Sequence, residues 1–141
     1  MKVLVIGGGI GGLTSALSLH AAGIEVEVFE QTPKIEGLGV GINLQPNAVR
    51  ELIELGVGDA LKEVAIETST LNYYNSFGQL IWSEPRGIAA GYRWPQYSID
   101  RGDLQIVLLA AVESRIGPGK VHTSHRLVSF EQTAGAVTAR F

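Results

Sequence analysis

The sequence predicts an α/β fold that opens with a βαβ unit, and three adjacent observations carry that expectation. A short apolar run, Val3-Leu4-Val5-Ile6, runs straight into the glycines of Gly7-Gly8-Gly9-Ile10-Gly11-Gly12. Leu13, Ala16, Leu17 and His20 then recur at helical spacing. Glu25 to Phe29 next alternates charged and apolar residues and ends on Glu30. The first run, rich in β-branched residues and continuous, suits a strand buried on both faces, as in a parallel sheet. The helix is expected from about Gly11 to Ala22, with Gly23 as the residue beyond its end that takes positive φ. The alternating run suits a strand with one wetter face.

Further along, Ile35 to Asn43 is glycine-rich and is expected to be a binding loop in which Gly37, Gly39 and Gly41 allow close approach to a neighbour or ligand. A helix is expected from Pro46 to Leu55, with Val49, Leu52, Ile53 and Leu55 on its apolar face and Gly56 at its end. Thr70 to Tyr74 and Gln79 to Trp82, around Asn75-Ser76-Phe77-Gly78, suit a β-hairpin that interrupts simple βα alternation and makes the sheet system mixed. Glu84 to Gln96, with Pro85, Gly87, Gly91 and Pro95, is expected to be a loop whose Tyr92 and Trp94 pack or line a site. Tyr97 to Ile99 reads as a short strand, and Gly102 to Arg115 as a helix with a stripe of Leu104, Val107, Leu108, Ala111 and Val112. Val121 to Phe130 and Val137 to Phe141 read as two strands around Ala134-Gly135.

The 141 residues, 45% hydrophobic and 18% charged, suit one compact domain rather than a disordered or fibrous chain. A net charge of -3 offers no basic field for capturing nucleic acid. The N-terminal apolar run is too short for a signal or membrane segment before the glycines break it, so no membrane partner is expected. With no cysteine, disulfides, thiolate metal sites and cysteine nucleophiles are excluded, and a reducing cytoplasmic compartment is compatible. His20, His122 and His125 lack metal-ligand spacing and are expected to be surface or packing residues. No nucleophile–base pair is visible.

The glycines match G-x-G-x-x-G, the turn of a dinucleotide-binding, Rossmann-like unit, at Gly7, Gly9 and Gly12. Each serves a physical purpose, for Gly7 allows the tight turn, Gly9 lets a pyrophosphate approach the backbone, and Gly12 lets helix and sheet pack closely. The helix N-terminus, beginning around Ile10 and Gly11, supplies unpaired N–H groups and a partial positive charge for that anion. Glu30 closes the second strand where an acidic residue would hold ribose hydroxyls, and its charge would repel a ribose 2′-phosphate. FAD or NAD fits this site and NADP does not.

Beyond these motifs, the segments LGVGINLQPNAVRELIELGVGDAL and LIWSEPRGIAAGYRWPQYSIDRGDLQIVLLAAV, with the opening glycines, resemble the single-component FAD-dependent aromatic hydroxylases of the salicylate and p-hydroxybenzoate hydroxylase group, and most closely its phenazine-hydroxylating branch. The resemblance spans nearly the whole chain. It implies an FAD-binding domain of the p-hydroxybenzoate hydroxylase type over residues 1–141, with 68–96 contributing to the substrate-side sheet and loop. It implies FAD as cofactor, NADH or NADPH as electron donor, and O2 and a small aromatic substrate as reactants. In this family the arginine of an R-x-x-L pattern contacts FAD, which transfers to Arg101 with Leu104; on the residues alone, pairing of Arg101 with Asp100 or Asp103 is an equal reading. Gly39 to Ile42 resembles the loop beside the flavin, which transfers to Gly41 and Ile42, and Leu127 matches a position whose backbone meets the adenine. Further FAD contacts in Asp-Gly and Gly-Asp segments of the family have no counterpart before Phe141, so the chain is expected to be an N-terminal part, inactive alone. An NAD-dependent dehydrogenase or a nucleotide-sensing module would share Gly7, Gly9, Gly12 and Glu30, but neither calls for the Arg101 pattern or the hairpin.

Overall fold

A computed structural model describes residues 1–37 and 39–141; Leu38, inside the glycine-rich loop expected at 35–43, lies outside the described residues. In chain order the first elements are β1 (Lys2–Ile6), α1 (Ile10–Ala21), β2 (Glu25–Phe29), β3 (Gly41–Leu44), α2 (Pro46–Glu54), α3 (Gly58–Val64) and β4 (Ile66–Glu67). There follow β5 (Thr70–Tyr74), β6 (Leu80–Pro85), β7 (Tyr97–Asp100), α4 (Arg101–Arg115), β8 (Val121–His122), β9 (Ser129–Gln132) and β10 (Val137–Arg140). The chain divides into two compact units, 1–37 with 105–141 and 38–104, and the division falls within α4. Among the described residues no helix is long and apolar enough to cross a membrane.

The first unit contains the expected βαβ unit. β1 and β2 are parallel, in register from Lys2 opposite Glu25 to Ile6 opposite Phe29, and β8 extends the sheet beside β2. α1 buries Leu13, Ala16 and Leu17 over this sheet, whose Val26 and Val28 are likewise buried. Its end follows from Gly23, which at φ +75° donates to His20 O while Ile24 donates to Leu19 O, the paired closure that a left-handed residue makes possible. His20 is exposed rather than part of the buried stripe. β1 is only half-buried, with Ile6 46% exposed, contrary to the expected burial on both faces. The reason is topological, since β1 stands at the end of the strand order β1-β2-β8.

The strand expected from Val121 to Phe130 is broken in two. Ser124 takes a φ of +59°, and the backbone turns aside so that Ser124 N–H meets Thr32 O and His125 N–H meets Glu30 O. β9 starts afresh and pairs antiparallel with β10.

In the second unit β7 is the middle strand of a sheet ordered β3-β7-β4, with both neighbours antiparallel to it. The expected loop therefore ends in a strand, because Gly41 to Leu44 pairs with Tyr97 to Asp100, a partner that no local glycine pattern reveals. α2 buries Val49 and Leu52 but leaves Ile53 38% exposed. α3 buries Leu61, and neither α3 nor β4 was expected. The hairpin of β5 and β6 is present, its turn held by Asn75 Oδ1, which accepts from Phe77 N–H and Gln79 N–H. In the loop before β7, a 3-10 turn spans Gly87–Ala90, Tyr92 is exposed, and the Trp94 ring packs against the Arg50 and Arg93 guanidinium groups at 5.6 and 5.4 Å from its centroid.

One ionic cluster ties the three strands of the first sheet together. Glu27 on β2 meets Lys2 Nζ at 2.9 Å, Lys120 Nζ at 2.8 Å and His122 Nε2 at 3.2 Å. Hydrogen bonds from Lys120 and then Lys2 hold its carboxyl down at about 2. A carboxyl depressed on folding stabilises the fold fully above its ordinary pKa, and that contribution disappears as pH falls through the folded value. Stability should therefore decline between pH 4.5 and about 2. In Glu27→Gln the same decline should be shallower, as read by denaturant unfolding across that pH range.

Candidate functional site

The turn between β1 and α1 takes its shape from two glycines. Gly7 adopts φ +105°, which a side chain would disfavour, while its N–H bonds to Phe29 O at 2.8 Å and so locks the turn against the end of β2. A Cβ on Gly12 would collide with the Gly7 carbonyl oxygen, so α1 can lie this close to the turn only without one. Gly9 is the residue before the helix, extended at φ -76° and ψ -179°, and no side chain caps α1. Its carbonyl accepts from Leu13 N–H at 2.9 Å, leaving the first-turn N–H groups at Ile10, Gly11 and Gly12 without helical partners. A Cβ on Gly9 or Gly11 would meet nothing within 4 Å, so the backbone there faces open space.

Glu30 stands beside this turn because β2 runs parallel to β1 and ends level with it. Its Oε2 accepts from Gly8 N–H at 2.6 Å and its Oε1 from Thr32 N–H at 2.9 Å. Burial raises the cost of its charge, yet the N–H groups of Thr32 and Gly8 outweigh that cost and hold the carboxyl below its usual range. An ionised carboxylate has about four acceptor positions, so each oxygen keeps capacity for a hydroxyl donor. Gly8 is held from its other side as well, since Gln105 on α4 donates from Nε2 to Gly8 O at 2.8 Å.

Next to Glu30 a cavity of about 270 Å³ opens between Gly7, Phe29, Gln31, His125, Arg126 and Leu127. Gly7, Gly9, Ile10, Gly11, Gly12, Glu30 and Leu127 thus lie in one unit around the turn and this cavity. Arg126 and Gln105 were not singled out from the sequence, and His125 was expected only as a surface or packing residue; it is exposed and also lines the cavity. His125 and Arg126 arrive through the turn at Ser124, and Gln105 is 97 residues from its partner, so no local pattern marks them. His122 stacks on Phe29 at 4.6 Å and lies 3.2 Å from Glu27 through Nε2, a packing and hydrogen-bonding role, whereas His125 also meets Phe29 edge-on at 5.7 Å while lining the cavity.

Gly41, Ile42 and Arg101 form a second group, within the other unit. Gly41 lies opposite Asp100 and Ile42 opposite Ile99, and Arg101 N–H donates to Val40 O at 3.0 Å. Asp100 Oδ1 accepts from Gly102 N–H at 2.7 Å, capping α4. Its carboxylate occupies the space a Cβ on Gly39 would fill, so that glycine answers to a neighbour within the fold. Arg101 is exposed and makes no ion pair with Asp100 or Asp103 among the described residues.

The two glycines beside the helix should respond differently to alanine. Gly12→Ala should lose about 2 kcal/mol or more of stability in denaturant unfolding, because the Gly7 carbonyl must move. Gly9→Ala should stay within about 1 kcal/mol of the parent, since its φ suits alanine and its surroundings are open.

The chain is 51% identical over 132 residues to the phenazine 1,6-dicarboxylic acid hydroxylase of Lysobacter antibioticus, covering 93% of the chain and 32% of that protein. It is 38% identical to the 3-hydroxybenzoate 6-hydroxylase of Polaromonas naphthalenivorans, over 98% of the chain and 35% of that protein. Its fold matches Klebsiella pneumoniae HpxO, solved in complex with FAD and uric acid, at a TM-score of 0.84 and 28% identity, covering 100% of the chain and 35% of HpxO. The chain thus spans about a third of the length of the curated relatives it matches. A family model described as FAD binding domain matches residues 1–141, and by that match over its whole length the chain belongs to the FAD-binding domain family.

Proposed function

We propose that this chain is the FAD-binding part of a monooxygenase that hydroxylates a small aromatic, phenazine-like compound with NADH or NADPH and O2. The observation that carries the reading is the turn from Gly7 to Gly12 with Glu30 and an adjoining cavity, in a chain whose relatives include named hydroxylases. Gly9 and the free N–H groups at the start of α1 would receive the pyrophosphate, where the helix dipole favours an anion. The spare acceptor positions of Glu30 would take ribose hydroxyls, and the cavity lined by Phe29 and Leu127 is apolar enough on those sides for adenine. Gly41, Ile42 and Arg101 are the proposed contacts toward the flavin, and residues 68–96 the proposed contribution to the substrate side. When bound, FAD would supply the redox chemistry, carrying electrons from the nicotinamide to O2 so that one oxygen atom enters the aromatic ring and the other leaves as water. The protein's part is then to bind, orient and exclude water. The lack of cysteine is compatible with a reducing, cytoplasmic setting.

Mass spectrometry of the nucleotide released on denaturing the purified protein tests the reading directly. FAD is the expected product, and NAD would replace the monooxygenase with a dehydrogenase. Gly9→Ala should weaken FAD binding by about tenfold or more, because a Cβ would stand between backbone and pyrophosphate while the fold is spared. Glu30→Ala should weaken FAD by roughly tenfold to a hundredfold, the range for hydrogen bonds to a charged acceptor. Both are read by flavin fluorescence titration.

A further inference from the structure

We infer that Gln105 is a positioning residue for the dinucleotide, one that fixes which way the Gly8–Gly9 peptide faces. The inference rests on the FAD-binding reading above and adds to it a residue on α4 that no motif of the turn contains. Gln105 Nε2 donates to Gly8 O at 2.8 Å, a partly buried contact between residues 97 apart in sequence. A carbonyl oxygen only accepts, so the amide must present its NH2 end to it. The Gly8 carbonyl and the Gly9 N–H belong to one planar trans peptide and point in opposite directions. Drawing the carbonyl toward α4 therefore turns the Gly9 N–H to the other side of the turn. Such control is needed here, because a peptide between two glycines rotates with little steric resistance.

The preceding peptide is held in the same way by a different element. Gly8 N–H is bound by Glu30 Oε2 at 2.6 Å, so both peptide planes flanking Gly8 are set by side chains from outside the turn, one from the end of β2 and one from α4. A Cβ on Gly8 would meet Ile35 Cδ1 at 2.7 Å, so the Ile35 side chain packs closely over that residue. The consequence is a preorganised donor: the Gly9 N–H reaches an incoming anion without the cost of ordering a glycine peptide.

The test compares the parent polypeptide with Gln105→Met, which keeps the length and loses the donor, and Gln105→Glu, which keeps the shape and exchanges the donor for a carboxylate. FAD affinity is measured by fluorescence titration, and the melting temperature is measured without FAD. Gln105→Met should bind FAD about two- to tenfold more weakly, with a melting temperature lowered by no more than the few degrees that one neutral hydrogen bond contributes. Gln105→Glu should be weaker than Gln105→Met at neutral pH. Relative to Gln105→Met, it should recover as pH falls toward about 5, because a protonated carboxyl regains a donor for the Gly8 carbonyl. Faster amide hydrogen exchange at Gly9 in both variants would agree with a loosened peptide. Parent-like affinity in both variants overturns the inference and leaves the FAD reading intact. Weaker binding matched by a melting temperature lowered further than this, with no recovery of Gln105→Glu at low pH, also overturns it, since that pattern belongs to a merely structural residue. A parent polypeptide that binds no FAD removes the proposed function and this inference together.

Discussion

The close approach of α1 to the end of β1 is the constraint on which the rest of the site depends. Gly12 lies against the Gly7 carbonyl with no room for a side chain, and that contact brings the helix N-terminus onto the turn rather than beside it. Gly7, at positive φ, makes the reversal short enough for this to happen. The result is a cluster of backbone N–H groups that point away from the helix and have no partner within it, the arrangement that attracts an anion.

Parallel pairing then assembles the site around that turn. Because β2 is in register with β1 from Lys2 and Glu25 up to Ile6 and Phe29, the residue after β2 emerges level with the residue after β1, and Glu30 meets the turn without a long reach. β8 repeats the logic one strand further out, and the left-handed Ser124 turns the chain back so that His125 to Leu127 border the same space. At a distance from that space, Glu27 binds lysines from the first strand and from the entry to β8, so charge as well as hydrogen bonding keeps the three strands together. The two carboxylates are thereby held in different ways: Glu27 by cations, Glu30 by backbone donors.

The second unit uses a different device. Its antiparallel strands β3 and β7 place Gly41 and Ile42 opposite Asp100 and Ile99, and Asp100 both caps α4 and fills the space beside Gly39. Arg101 is left exposed at the first turn of the helix, its backbone tied to Val40 and its side chain without an acidic partner from Asp100 or Asp103.

Much of this was legible in the amino-acid sequence. The α/β class, the βαβ opening, Gly23 as the residue that ends α1, and the hairpin at β5 and β6 all follow from local patterns, because apolar periodicity and glycine placement act over a few residues. So did the location of Glu30 at the end of its strand. Long-range pairing decided the rest: the half-buried edge position of β1, the strand within the glycine-rich loop, the break at Ser124, the placing of His125 and Arg126 at the cavity, and the bond from Gln105 to Gly8. Sequence by itself determined which segments could form strands, helices and a glycine turn at a helix N-terminus, since those choices are made by neighbouring residues. Tertiary structure alone decided which of them meet, since a hydrogen bond between residues 97 apart leaves no trace in the spacing of either.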